Sequence, residues 1–361
     1  MHAQKDKKII VHIGALKTGS TAIQIFCNSN FDALEKQGIY YPRFKGNKKF
    51  KRHPLGSDRA ANGTLLCGRH YDENELKKIL EKFETDPDIH TMLLSEEILF
   101  LSIYQGTRFH PEAIKYLQKY NTHIVVFLRN TTEYITGTWQ ESVRSSNSKS
   151  LHYHIHNYNY TDCLEYLYEL RQKFGHQNVH LELYNEPNTE TYNSIAVILK
   201  HLHYESHETE SEKIRVNSAV ARDYLESLRM INSVFGCKLP QEYKEYIPIY
   251  SKQTVHESLS DKQINTIVDQ HTSIEKKIAQ DFFNRDKLFE KSYPEHYLVK
   301  RKKYRFHDRA LKKRMLRPLI KRIFCDTYYK KNKFLSSIIF YSIIMLPTRT
   351  RKKCIKILRN E

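Results

Sequence analysis

The stretch Lys8–Thr21, KIIVHIGALKTGST, decides how this chain of 361 residues folds. Its first part, Lys8–Ile13, is mostly apolar and β-branched, which is typical of a buried strand. The second part, Gly14–Ser20, holds two glycines and predicts a tight loop. From Thr21 onward apolar residues recur among polar ones, and we expect a helix that reaches Lys36. A strand that turns through a glycine loop into a helix is the start of a parallel βα unit.

The same alternation of strands and helices continues along the chain. Predicted strands are His90–Leu94, Ile124–Leu128 and Val179–Leu183. Predicted helices are Glu73–Glu84, Pro111–Tyr120, Thr131–Arg144, Asp162–Phe174 and Thr191–His201, with a mainly helical pattern over 218–290 and a long surface loop over 42–70. Strands separated by helices predict an α/β fold of three layers, α/β/α, around a central parallel sheet.

The excess of positive over negative charge lies at one end of the chain. The formal net charge is +18, and residues 300–361 alone hold 21 Lys and Arg against 3 Asp and Glu. Residues 1–299 are therefore electrically balanced. We expect a globular body over 1–299 and a basic, helical, partly apolar tail over 300–361. This distribution excludes a uniformly basic protein that coats nucleic acid, and we expect no nucleic-acid partner.

Within the tail, basic clusters flank an apolar run of 13 residues, Phe334–Leu346. The run is too short to span a bilayer, which needs about 20 apolar residues. One interpretation is a peripheral membrane contact through the run and its flanking cations. Docking on the body or on a partner, and a solvated disordered tail, are the alternatives.

The cysteines and the N-terminus indicate the compartment. The six cysteines lie far apart and form no CxxC pair, which favours a reducing environment. The first apolar stretch is shorter than the hydrophobic region of a secretion signal. We therefore expect a cytoplasmic protein, with the membrane contact at the inner face.

The loop after the first strand has the composition of an anion site. In parallel sheets ligands bind at the carboxyl ends of the strands. Gly14 and Gly19 allow the backbone N–H groups to approach an anion, Lys17 adds a full positive charge, and the following helix adds its partial charge. Hydroxyl groups come from Thr18, Ser20 and Thr21. The alternative is an ordinary strand–turn–helix connection with a serine at the helix start.

The loop differs from the phosphate loop of magnesium-dependent nucleotide hydrolases. That loop needs Gly-x-x-x-x-Gly-Lys-[Ser/Thr], whereas Lys17 precedes the second glycine here. The other strand ends carry Ser95 and Glu96, or Arg129, in place of a metal-binding aspartate. Arg129 follows a wholly apolar strand, and it is either a guanidinium that holds a second phosphate or a surface arginine at a strand end.

The residues around this loop resemble a known family. VHIGALKTGSTAIQ (11–24) resembles the 5′-phosphosulfate loop of sulfotransferases that use 3′-phosphoadenosine 5′-phosphosulfate, and weaker patches resemble the bacterial, carbohydrate-type branch. These patches are LLSEEILF (93–100), VVFLRNTTEYITGTWQESVR (125–144), YLYELRQKFGHQNVHLELYNE (166–186), RVNSAVARDYLESLRMIN (215–232) and FFNRDKLFEKSY (282–293). The resemblance covers about residues 8–293 and implies a P-loop NTPase-like fold.

The resemblance also implies an activity and roles for residues. A sulfuryl group would pass in line to an acceptor hydroxyl of a carbohydrate or glycolipid, with no metal. Lys17 and the loop N–H groups would hold the 5′-phosphosulfate, and Lys17 would act as a catalytic residue by supplying fixed positive charge where charge develops during the transfer. Arg129 would hold the 3′-phosphate. Glu96 matches the family's Ser-Glu position and is the first candidate for the general base. Its neighbour Glu97 and the loop residue His53 are the other candidates. An acidic pair at a helix start, and a solvated histidine, are the structural alternatives.

One feature departs from this pattern. The family usually has a serine eight residues after the arginine, where it helps to hold the 3′-phosphate, but position 137 is glycine. Either the hydroxyl of Thr136 or that of Thr138 replaces the serine after a small shift, or the contact is missing. Three alternating histidines, at 152, 154 and 156, would share one face of a strand like a metal site, although a polar lid over the acceptor site is the preferred interpretation. The competing functions are a P-loop nucleotide kinase or phosphotransferase and a non-catalytic membrane or polyanion adaptor.

Overall fold

The computed structural model describes residues 7–15, 17–43, 61–100, 108–158, 160–184, 193–205 and 259–290, and the single positions 225, 228, 229 and 232. The predicted tail over 300–361, its boundary at 299, and His53 lie outside these residues.

The described residues form a parallel sheet with helices on both faces. The strands are β1 (Lys8–Gly14), β2 (Ile39–Tyr40), β3 (Thr91–Ser95), β4 (Asn121–Arg129) and β5 (Val179–Tyr184), in the spatial order β2-β3-β1-β4-β5. The helices are α1 (Ser20–Ser29), α2 (Phe31–Lys36), α3 (Glu73–Thr85), α4 (Pro111–Leu117), α5 (Thr131–Arg144), α6 (Leu151–Asn157), α7 (Thr161–Phe174), α8 (Ser194–His201) and α9 (Asp261–Phe283). Short 3-10 helices occupy Thr64–Leu66, Gly68–His70, Glu97–Phe100 and His176–Asn178. The predicted three-layer α/β fold, like that of P-loop proteins, is confirmed.

Apolar residues on both faces of the sheet are buried. Ile10 and Phe127 pack with Ile23 of α1 and Ile198 of α8 in one core cluster. Residues of the opposite parity are also fully buried, among them Ile9, Val11, Ile124 and Val126. Because successive side chains of a strand point to opposite faces, helices cover the sheet on both sides. The wholly apolar stretch 124–128 of β4 is the consequence.

The predicted helix from Thr21 to Lys36 is interrupted. α1 ends at Ser29, and α2 begins at Phe31. The side chain of Asn30 donates through Nδ2 to the carbonyl of Phe26 at 3.0 Å, and the Asn30 backbone N–H donates to the same oxygen at 2.9 Å. An asparagine side chain that competes for backbone groups ends a helix readily. The sequence prediction also missed the two-residue edge strand β2.

The segment with three alternating histidines is a helix, not a strand. In α6 the rings of His152 and His156 lie 4.3 Å apart, one helical turn from each other, whereas His154 contacts Thr138. The three side chains therefore do not share the face that a strand would give them. Among the residues with described positions, no group of three or more His, Cys, Asp or Glu is arranged to hold a metal ion.

The chain divides into two compact units. The first comprises Met1–Tyr134, Tyr158–Ser218 and Thr266–Tyr293, and it contains the sheet. The second comprises Ile135–Asn157, Ala219–Asn265 and Pro294–Glu361. Within the second unit, Asn232 donates to the carbonyl groups of Val143 at 2.7 Å and Asn147 at 3.0 Å. None of the helices in the described ranges is long and apolar enough to cross a membrane.

Candidate functional site

The predicted site residues of β1, β3 and β4 lie at one edge of the sheet. Gly14 ends β1 and pairs with Phe127, so β4 continues two residues further, to Arg129. Ser95 ends β3 opposite His12. Parallel strands bring their carboxyl ends to the same edge, where ligands bind in such folds. The order of strands therefore places Arg129 beside the loop that follows Gly14.

The backbone of the loop is curled around a point at the start of α1. The N–H of Ala15 donates to the carbonyl of Phe127 at 2.8 Å, which fixes the beginning of the loop. Lys17 has a φ of 68° and Gly19 a φ of 91°, both in the left-handed region. Turns of this kind direct successive N–H groups inward and form anion-binding concavities.

The N–H groups at the end of the loop have no protein acceptor. No described residue accepts a hydrogen bond from the N–H of Thr18, Gly19, Ser20 or Thr21. The last two belong to the first turn of α1, whose partial positive charge favours an anion. Together with the positive charge of Lys17, this arrangement suits a negatively charged ligand.

Both glycines of the loop are required by close contacts. A Cβ on Gly14 would lie 2.7 Å from Oγ1 of Thr18 and 3.0 Å from Oγ of Ser20. A Cβ on Gly19 would lie only 2.2 Å from Oγ of Ser194, the first residue of α8. Gly19 thus combines a left-handed φ with a tight packing contact, and no other residue type satisfies both.

Arg129 is bound directly to the loop. Its Nη1 donates to the carbonyl of Lys17 at 3.0 Å, and its Nε donates to Oε2 of Glu133 at 2.9 Å. The guanidinium also lies 5.5 Å from the ring centre of Tyr184. The side chain is 19% exposed, so it is held but not sealed from solvent. The contact with Lys17 fixes the residue that carries the positive charge of the loop.

A buried histidine that the sequence analysis did not single out lies beneath the loop. His12 of β1 is fully buried, and its Nδ1 lies 2.9 Å from Oγ of Ser95. Gln24 of α1 donates to the same hydroxyl at 3.4 Å. Burial, together with the charge of His201, lowers the pKa of His12 to about 3, so the ring is neutral at pH 7. A single polar residue within an otherwise apolar strand, two positions before the first loop glycine, is the signal that would have identified it.

Glu96, the predicted general base, is buried next to the same strand. Its backbone N–H donates to the carbonyl of His12 at 3.0 Å. Its Oε1 accepts from the N–H of Ile98 at 3.0 Å, and its Oε2 accepts from the hydroxyl of Thr64. Glu97 begins the 3-10 helix that follows, and it is more exposed than Glu96. The position is at the correct edge, and the role as base stays a prediction.

The threonines that flank Gly137 differ in what the structure assigns to them. Thr138 donates to the carbonyl of Ile135 at 2.9 Å and lies 2.9 Å from Nε2 of His154. Its hydroxyl hydrogen is therefore used within α5. Thr136 is 1% exposed. Replacement of the usual serine by either hydroxyl stays a prediction.

A cavity of about 940 Å³ lies at the opposite, amino edge of the sheet. Its lining includes Asp32, Glu35, Asp86 and Asp88. An acidic lining repels anions. The cavity therefore does not compete with the loop as the site for a negatively charged ligand.

Comparisons with known proteins found no matching family model and no matching curated protein. Among solved structures, the chain is similar to a sulfotransferase from Alicyclobacillus acidocaldarius, with 16% identity and a TM-score of 0.35 over 58% of this chain and 85% of that chain. It is also similar to a retinol dehydratase in complex with androsterone and the inactive cofactor PAP, with 13% identity and a TM-score of 0.34 over 75% of this chain and 81% of that chain. At these TM-scores neither likeness supports a function, and the argument for one rests on the residues of this chain.

Proposed function

We propose that the chain is a sulfotransferase that moves a sulfuryl group from 3′-phosphoadenosine 5′-phosphosulfate to an acceptor hydroxyl. The observation that carries the proposal is the loop Gly14–Thr21 at the carboxyl edge. There, the N–H groups of four consecutive residues lack acceptors among the described residues, while Arg129 lies beside the loop. The resemblance of residues 11–24 to a phosphosulfate loop supports the same activity.

The residues at this edge suit a co-substrate with two anionic ends. The N–H groups of Thr18 to Thr21, the ammonium of Lys17 and the buried hydroxyl of Ser20 would hold the 5′-phosphosulfate. Arg129 would hold the 3′-phosphate, because a guanidinium binds phosphate bidentately and this one remains partly accessible. When bound, the co-substrate supplies an activated sulfuryl group.

The protein would stabilise the negative charge that develops during the transfer and accept the proton of the acceptor hydroxyl. Fixed donors in a preorganised loop stabilise negative charge as it develops, without a cost of reorganisation at that moment. Arg129 would keep Lys17 in its left-handed conformation and so keep its side chain directed. Glu96 would accept the proton of the acceptor hydroxyl, with Glu97 and His53 as the other candidates.

The arrangement favours sulfuryl transfer over a magnesium-dependent kinase. Magnesium in such enzymes is held by a carboxylate at a strand end together with the hydroxyl that follows a Gly-Lys pair. Here β3 ends in Ser95, and both carboxylate oxygens of Glu96 accept hydrogen bonds from protein groups. Lys17 precedes Gly19 instead of following it.

The acceptor and the cellular location are proposed from the sequence alone. We propose a carbohydrate or glycolipid hydroxyl as the acceptor. We also propose a cytoplasmic protein that contacts the inner face of a membrane through residues 300–361. Co-sedimentation of the full chain and of a chain ending at residue 299 with anionic vesicles, at low and high salt, tests the second part.

Calorimetry with 3′-phosphoadenosine 5′-phosphate (PAP), and transfer of labelled sulfate from the complete co-substrate, test the activity. We expect the wild-type chain to bind PAP, and Lys17→Ala to weaken binding by about 10- to 100-fold, the usual worth of a hydrogen bond to a charged group. Lys115→Ala is the matched control, because Lys115 lies in α4, pairs only locally with Glu112 and is well exposed. Absence of PAP binding, or magnesium-dependent ATP turnover in its place, would refute the proposal.

A further inference from the structure

Two buried polar groups beneath the loop have no hydrogen-bond partner among the described residues: Nε2 of His12 and Oγ of Ser20. His12 is 0% exposed and Ser20 is 2% exposed. A buried donor or acceptor without a partner costs about 1–3 kcal/mol. Native structures leave few such groups without a partner, so two of them at one point call for an explanation, such as a ligand that completes them.

The two groups face the same point of the loop. A Cβ on Gly14 would lie 3.0 Å from Oγ of Ser20 and 3.4 Å from Nε2 of His12. The hydroxyl of Thr18, the third group at this point, is already used, because it donates to the carbonyl of Ala15 at 2.6 Å. Ser20 is also the first residue of α1, and the backbone N–H groups of Ser20 and Thr21 have no acceptor among the described residues.

The hydrogen bonds around His12 define its tautomer. Gln24 donates to Oγ of Ser95, and the N–H of Ser95 donates to Oδ1 of Asn62 at 2.7 Å. Among the described residues, Nδ1 of His12 is the acceptor within reach of the Ser95 hydroxyl hydrogen. We therefore assign the acceptor role to Nδ1 and place the hydrogen on Nε2. His12 thus presents a neutral N–H donor to the underside of the loop.

We propose that His12 is a positioning residue that acts through Ser20. When an oxyanion occupies the loop, Nε2–H of His12 donates to Oγ of Ser20, and the Ser20 hydroxyl hydrogen turns to the oxyanion. Both unpartnered groups then gain a partner in one movement. The inference rests on the proposed function, since the oxyanion is the 5′-phosphosulfate of the co-substrate.

His12→Asn and His12→Gln separate this role from a structural one. An asparagine reproduces the Nδ1 side of the ring and its contact with Ser95, whereas a glutamine reproduces the reach of Nε2–H. We expect His12→Asn to weaken PAP binding by about tenfold and His12→Gln to remain within about threefold of the wild type. Thermal unfolding of both variants, recorded by circular dichroism, reports any loss of folding separately.

Ser20→Ala completes a double-mutant cycle with His12→Asn, and it also tests the serine in a chain that keeps the histidine. Ser20→Ala should weaken PAP binding by about tenfold, and His12→Asn should add no further loss in that background. In addition, the nitrogen-15 resonance of the protonated His12 Nε2 in the wild-type protein should move when PAP is added.

The outcomes distinguish the two proposals. A wild-type chain that does not bind PAP refutes the sulfotransferase and the role of His12 with it. If the wild type binds PAP, additive losses in the cycle, equal losses for asparagine and glutamine, or an unmoved His12 resonance refute the role of His12 alone.

Discussion

The two edges of the sheet differ in whether their polar groups have hydrogen-bond partners. Toward the amino edge, His123 and His180 share a hydrogen bond of 2.9 Å, His201 pairs with Glu182 at 2.7 Å, and Lys8 donates to the carbonyl of His201 at 3.2 Å. At the carboxyl edge, the N–H groups of Thr18–Thr21 and two buried side chains have no partner among the described residues.

This difference separates stability from binding. Groups that satisfy one another stabilise the fold and have little left for a ligand. Groups held in place without partners lower the free energy of unfolding, and a bound anion that accepts their hydrogen bonds would raise it again. Variants at the amino edge should therefore alter unfolding alone, whereas variants at the carboxyl edge should alter binding as well.

Exchange of one glycine at each edge gives the largest expected contrast. Gly19→Ala and Gly38→Ala each place a side chain at a positive φ and against a neighbour, Ser194 or His90, within 2.4 Å. Each should lower the free energy of unfolding by about 2–4 kcal/mol. Only Gly19→Ala should also weaken PAP binding, by about 100-fold, because it displaces the loop N–H groups. Denaturant unfolding and calorimetry on both variants measure the contrast, and a similar loss of affinity in Gly38→Ala would remove it.

Arg129→Ala should produce an intermediate effect on both quantities. It leaves the carboxylate of Glu133, whose side chain is 8% exposed, without the guanidinium and removes the hydrogen bond to the carbonyl of Lys17. We expect a loss of about 2–3 kcal/mol in unfolding free energy, since unpairing a buried charge is costly, and a PAP affinity about 10- to 100-fold weaker.

A second substitution separates the two effects of Arg129. Glu133→Gln in the Arg129→Ala background should restore part of the stability but none of the affinity, because it removes the buried charge that has lost its guanidinium without replacing the phosphate contact. The exposed pair of Arg144 and Glu141 provides the control, and Arg144→Ala should change stability by less than about 0.5 kcal/mol. Recovery of PAP affinity in the double variant would show that Arg129 acts only structurally.

Acid should weaken the amino edge by a smaller amount. Burial and the nearby charges of Lys8, His180 and His201 lower the pKa of His123 to about 4. An unfolded histidine has a pKa of about 6.5, so the native state binds its proton less readily. The stabilising contribution is therefore complete above about pH 6.5 and is lost as the pH falls toward about 4.

His123→Gln tests this contribution. The loss of unfolding free energy between about pH 7.5 and about pH 5 should be smaller in the variant than in the wild type, by about 1 kcal/mol after allowance for partial exposure. PAP binding at neutral pH should be unchanged, since the partners of His123, Asn121 and His180, lie near the amino ends of β4 and β5 and away from the loop. An identical pH dependence in the two proteins would contradict the assignment.

The sequence was sufficient to predict four of the five strands and the position of the loop, because the local residue pattern determines both. The apolar run of β4 and the glycines at 14 and 19 require a buried strand and a tight turn whatever surrounds them. The break at Asn30 was missed because a continuing helical pattern hides a side chain that competes for one carbonyl. The edge strand β2 was missed because two residues carry no periodicity.

Candidate site residues could be predicted from the sequence only where the residue type itself is informative. Lys17 and Arg129 were predicted from their charge and from their place after a strand. His12 was not, because the role proposed for it depends on contacts with Ser95 of β3 and Gln24 of α1. The hydrogen bond from Arg129 to the carbonyl of Lys17 likewise depends on how far β4 extends beyond β1.

The crowding around Gly14 limits how this chain can vary. The absence of a side chain at position 14 is what leaves room for the hydroxyls at 18 and 20 and for the imidazole at 12. A related chain with alanine at position 14 should therefore carry a smaller residue at 18 or 20, and one that loses the histidine should tolerate loss of the serine. We therefore expect positions 12, 14, 18 and 20 to change together in related chains, because these residues crowd the same point of the loop.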